Sequence, residues 1–83
     1  MSYDLYELII KKEYPLVTYY IYKLSNRKRS FVIYIVENGF YPRTMRIFTS
    51  RRKIVNKFID ALRNNDYDEI SNVLYELYLR FIM

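Results

Sequence analysis

The sequence predicts an α+β domain: a three-stranded, possible four-stranded, antiparallel sheet with two C-terminal helices packed on one face. Three observations predict it. Residues 16 to 24, 31 to 37 and 43 to 49 are rich in β-branched and aromatic residues, as strands are. Residues 54 to 62 and 70 to 81 instead repeat their apolar residues at helical spacing. One Gly and two Pro among 83 residues leave room for short connections only, so a single domain over 1–83 is expected.

Residues 3 to 14, YDLYELIIKKEY, satisfy two periods at once. Leu5, Leu8, Ile9 and Lys12 fit a helical stripe with Asp4 as its cap. Tyr6, Leu8, Ile10 and Lys12 fit strand alternation equally well, and Pro15 ends the element either way. LVTYYIYKL (16 to 24) and FVIYIVE (31 to 37) read as a hairpin joined by the polar turn SNRKRS, which puts Arg27, Lys28 and Arg29 at its tip. NGFYP is the next turn, with Asn38 and Gly39 expected to supply positive-φ positions. RTMRIFT (43 to 49) reads as the following strand. Thr49 or Ser50 is expected to cap a helix whose stripe is Ile54, Val55, Phe58, Ile59 and Leu62. RNND breaks that helix, and Asp66 with Glu69 forms a capping pair for the next. There Ile70, Val73, Leu74, Leu77, Tyr78 and Phe81 keep the clearest periodicity in the chain.

The chain has no Cys and no His. Disulfides, the usual zinc sites, thiol nucleophiles and imidazole acid–base chemistry are therefore excluded. Carboxylate chemistry remains, but no tight Asp/Glu constellation and no glycine-rich phosphate loop supports it. The expectation is a protein that is not an enzyme and needs no cofactor and no metal. No apolar run approaches membrane-spanning length and no signal peptide is visible, so a cytoplasmic protein without a membrane partner is expected.

Charge is unevenly placed. Residues 21 to 57 carry ten Lys and Arg against Glu37 alone, a net +9, while the remainder nets −4. A basic centre between acidic ends points to an anionic partner. Arg51, Arg52 and Lys53 stand where a helix should begin, although a helix N-terminus carries partial positive charge and favours acids. A phosphate at the free N–H groups there would relieve the conflict. The same placement costs only about 0.3–1 kcal/mol per charge, so it also suits a merely solvated surface.

Period two divides the strands. Phe31, Ile33 and Ile35, with Val17, Tyr19, Ile21, Met45 and Ile47, should face the helices. Thr18, Tyr20, Tyr22, Val32, Tyr34, Thr44, Arg46 and Phe48 should face the other way. Rings there can stack on a base while Arg and Lys neutralise phosphates. Tyr is also a favoured strand residue whatever its role, and such a face equally suits a dimer interface or cover by the first element.

TMRIFTSRRKIVNKFIDALRNNDYDEISNVLYELYLRF, from Thr44 to Phe81, resembles the ribbon-helix-helix DNA-binding core. That resemblance implies paired ribbons from two chains, with Thr44, Arg46 and Phe48 entering the major groove. A hairpin precedes this ribbon, and DYDE puts acids where the family's second helix meets phosphate. Residues 16 to 62, consecutive strands and then a helix, are similar to the Whirly, Pur-alpha and positive-cofactor coactivator group, which binds single-stranded nucleic acid on a curved sheet with basic hairpins. The composition, rich in Tyr, Ile and Arg, resembles that of small proteins of viruses infecting hot-spring archaea. The expected function is nucleic-acid binding, DNA ahead of RNA. Arg27, Lys28, Arg29, Arg43, Arg46, Arg51, Arg52 and Lys53 are the expected backbone contacts, and Tyr20, Tyr22 and Tyr34 the stacking residues. A homodimer is expected, because so small a core leaves aromatic surface uncovered. The alternative is a protein-interaction module or inhibitor whose basic centre docks on an acidic partner.

Overall fold

The computed structural model describes residues 6–25 and 30–82, with side chains as far as Tyr78. It is an α+β fold with strands β1 (Tyr6–Glu13), β2 (Val17–Leu24), β3 (Phe31–Glu37) and β4 (Thr44–Thr49), followed by helices α1 (Arg52–Arg63) and α2 (Tyr67–Ile82). The strands form one four-stranded sheet in the order β1-β2-β3-β4, each antiparallel to its neighbour. The chain forms two compact units, a sheet ending at Arg51 and a helical hairpin beginning at Arg52. Arg27, Lys28 and Arg29, the expected hairpin tip, lie outside the described residues, as do Asp4, Leu5 and the Phe81 side chain.

The ambiguous first segment is a strand. Its backbone groups pair with β2 from Tyr6↔Leu24 to Glu13↔Thr18, a partner that a local pattern does not reveal. Its alternation is not strict. A bulge between Leu8 and Ile10 leaves Ile9 as an extra residue, so side chains beyond it exchange faces. Tyr6 and Leu8 share a face with Lys11 and Glu13, not with Ile10 and Lys12 as unbroken alternation would have it. Tyr14 N donates to Val17 O (2.8 Å), and Pro15 sits in the resulting tight turn.

The two sheet faces follow the expected partition. Ile21, Ile33 and Ile47 make one row, flanked by Tyr19, and by Phe31, and all five are buried. Each fully buried Ile or Phe contributes on the order of 1.5–3 kcal/mol. The opposite face is only partly open: Tyr20, Tyr22 and Tyr34 are half-buried, while Val32, placed between Tyr22 and Phe48, is fully buried.

The β3–β4 turn works differently from the expectation. Neither Asn38 nor Gly39 has a positive φ, and a Cβ on Gly39 would meet nothing within 4 Å. Asn38 acts through hydrogen bonds instead. Its Nδ2 donates to Tyr14 O (3.1 Å) and Thr18 Oγ1 (3.2 Å), and its backbone N donates to Leu16 O (3.0 Å). The positive φ falls at Asn65 (51°), which ends α1. There Asp66 N donates to Ala61 O (2.9 Å) and Asn65 N to Leu62 O (3.3 Å), the paired bonds of a left-handed helix stop.

The helical stripes match their periodicity. Ile54, Val55, Phe58, Ile59 and Leu62 of α1 are buried, with Ala61 beside them. Ile70, Val73 and Leu77 of α2 are buried, whereas Tyr78, expected in the same stripe, is exposed. Its ring can lie against the surface while its hydroxyl reaches water. Among the described residues no helix is long and apolar enough to cross a membrane.

Candidate nucleic-acid interface

The strand register assembles one row that runs across the whole sheet. Lys11 of β1 pairs with Tyr20 of β2, Tyr20 with Tyr34 of β3, and Tyr34 with Arg46 of β4. Two rings thus lie between two cations, and at about 4.8 Å per strand the row is roughly 14 Å wide at the backbone. The adjoining row is Leu8, Tyr22, Val32 and Phe48.

The rings form a connected cluster. Tyr20 and Tyr22 are nearly parallel, with centroids 6.3 Å apart and an interplanar angle of 8°. Tyr22 meets Tyr34 edge-on at 5.6 Å and 85°, and Tyr6 lies 6.0 Å from Tyr22. Tyr6, Tyr20, Tyr22, Tyr34 and Val36 line an open hollow of about 440 Å³. Such a hollow offers ring faces and hydroxyls but no charge of its own.

Lys11 Nζ lies 5.5 Å from the centroid of the Tyr20 ring, a cation–π contact. It also donates to Glu13 Oε1 at 2.8 Å. The hydrogen-bonded carboxylate of Glu13, and then its charge, hold the Lys11 ammonium above the ordinary lysine value. The same bond and charge hold Glu13 below the ordinary glutamate value. Both groups are exposed, so this pair is screened and weak, and Lys11 stays available to a stronger anion.

The expected site residues separate into groups. Tyr20, Tyr22, Tyr34 and Arg46 come together on one face. Arg43 does not join them. It lies at the end of the sheet beside the β3–β4 turn, and its Nε and Nη2 donate to both oxygens of Glu37 at 3.1 and 3.2 Å. The only acid of the basic centre is therefore spent on Arg43. Arg51 follows β4 at the opposite end, in the chain after the Lys23–Phe31–Thr49 row. Its backbone N donates to Thr49 Oγ1 (3.1 Å), so Thr49 braces the approach to α1 rather than its inner N–H groups. Arg51 Nη1 is withdrawn from solvent and has no hydrogen-bond partner among the described residues. Arg52 and Lys53 are exposed in the first turn of α1, which holds no acid.

Sequence reasoning missed Lys11 and Tyr6. Both belong to the segment with two periods, and Lys11 reaches this face only because the bulge at Ile9 shifts the alternation. It also gave no role to Phe40 and Tyr41, which are 101% and 92% exposed at the β3–β4 turn, with Leu16 78% exposed on the neighbouring turn. Among the described residues no group of three or more Asp or Glu is placed to hold a metal ion.

Compared with protein-family models, with curated proteins and with solved structures, the chain matches none.

Proposed function

We propose that the protein binds single-stranded nucleic acid, with DNA tested ahead of RNA, on the tyrosine-bearing face of its sheet. The row Lys11–Tyr20–Tyr34–Arg46 carries this reading. Its two rings suit the flat faces of bases, and its two cations suit phosphates on either side. Only unpaired bases offer those faces, because a duplex stacks them against one another. The hollow beside Tyr22 would seat a base turned toward the sheet. Arg27, Lys28 and Arg29, in the connection between β2 and β3, would add contacts to the phosphates. Arg43 lies at the end of the sheet, outside this row, where it pairs with Glu37.

Fluorescence anisotropy with labelled single- and double-stranded oligonucleotides tests this. The expected result is tighter binding of the single strand, weakening steeply as salt rises through counterion release. Removing the Tyr34 ring (Tyr34→Ala) should weaken binding by about 1–3 kcal/mol, the range for one base–aromatic stack. No binding at low salt, or an affinity that ignores salt, would refute the reading.

One observation favours a second reading, a protein-interaction module. Phe40, Tyr41 and Leu16 project as an uncharged aromatic tip, and Asn38 fixes the two turns to each other. Exposed aromatic side chains of this kind suit a pocket on a protein partner. Wild-type nucleic-acid affinity in a Phe40→Ala, Tyr41→Ala double variant, with loss of a captured partner, would separate the two.

A further inference from the structure

The helical hairpin carries opposite charges on the solvent sides of α1 and of α2 as far as Tyr78. On α1, Arg52, Lys53, Lys57 and Arg63 are exposed, and Asp60 is the only acid among them. On α2, the stretch Tyr67–Tyr78 holds Asp68, Glu69 and Glu76 and no cation. Among the described residues, none of these four cations and three α2 acids takes part in an ion pair.

The α2 side also exposes aromatic rings. Its buried residues are Ile70, Val73 and Leu77. Tyr75 and Tyr78 are 67% and 37% exposed. Tyr faces attract Lys and Arg through their π-systems, and carboxylates attract them through charge. The α2 surface is thus complementary to the α1 surface in both respects.

We infer that the partner of these surfaces is a second copy of this chain, docked so that α1 of each copy lies on α2 of the other. Two-fold symmetry makes both contacts at once and makes both attractive. The alternative docking, α1 on α1, sets cations against cations and is disfavoured by the same charges. This dimer does not depend on the sheet face, so it stands or falls apart from nucleic-acid binding.

Charge exchange tests it, with the full chain followed by sedimentation velocity across a salt series. The wild type is expected to be a dimer at low salt and to dissociate as salt rises. Lys57→Glu with Arg63→Glu, and separately Asp68→Lys with Glu76→Lys, should each weaken self-association by about tenfold or more. These substitutions leave Arg52 and Lys53 in place. Mixed in equal amounts, the two variants should form a heterodimer, because each supplies the charge the other now needs. Circular dichroism checks that both keep their helices. Tyr75→Ala, at a residue 67% exposed, weakens the dimer without touching charge and serves if a charge variant fails to fold. A wild type that is monomeric at low salt, a dimer indifferent to salt, or folded variants that stay monomeric when mixed would each overturn the inference.

Discussion

The two helices of this protein start in opposite ways. Helix α2 begins by the rules: Asp66 Oδ1 accepts from Glu69 N (3.2 Å), and Asp68 and Glu69 occupy the first turn. Helix α1 begins against them, with Arg52 and Lys53 in a first turn that holds no acid and Arg51 just before it. Both helices nevertheless form, because each buries an apolar stripe. The electrostatic misfit at α1 is small beside the burial of Val55, Phe58 and Leu62. Packing decides whether a helix exists, and its end residues then adjust stability or serve a ligand.

The comparison can be broken at α2 with the largest effect. Asp66→Ala should lose about 0.5–2 kcal/mol in denaturant unfolding, because Glu69 N loses its acceptor. Asn65→Ala, one residue earlier, should lose about 1 kcal/mol, because φ of 51° disfavours an ordinary side chain. At α1 the sign reverses. Arg52→Glu should raise stability by roughly 0.3–1 kcal/mol in denaturant unfolding, because the first turn of α1 then gains an acid. Equal stability changes at the two starts would show that the dipole has no role. Gly39→Ala extends the contrast to the turn. With no positive φ and open space at its Cβ, it should leave stability unchanged or raise it by up to about 1 kcal/mol in thermal unfolding.

The smallest effect belongs to the exposed Lys11–Glu13 pair. A carboxyl titration followed by NMR should place Glu13 below the ordinary glutamate value, and Lys11→Met should return it toward that value. Because the folded state lowers the Glu13 pKa, its contribution is present above the unfolded glutamate pKa and is lost as pH falls through the folded one. Because it raises that of Lys11, the lysine's contribution is lost only as alkaline pH passes its folded value. Binding through Lys11 should accordingly strengthen slightly in acid, as Glu13 releases it.

Much of the sheet was legible because period two reports burial directly. Tyr20, Tyr22, Tyr34, Arg46 and Phe48 share the face their alternation implies. The helix stop and start at Asn65 and Asp66 were legible because their chemistry is local. The pairing of Arg43 with Glu37 was not legible, because the two meet across a turn that the sequence does not describe. Asn38 and Gly39 were misread because their composition allows a positive φ but does not require one.

By itself, the sequence determined the type of each periodic element, the partition of β2, β3 and β4 into two faces, and the basic centre of the chain. These follow from local propensity, alternation and composition, which act between near neighbours. Only the tertiary structure decided that residues 6 to 13 are a strand, that a bulge at Ile9 turns Lys11 toward the tyrosines, and that Arg43 is already paired. Each of those depends on a partner distant in sequence, and a period of two or of 3.6 residues carries no information about which strand lies alongside.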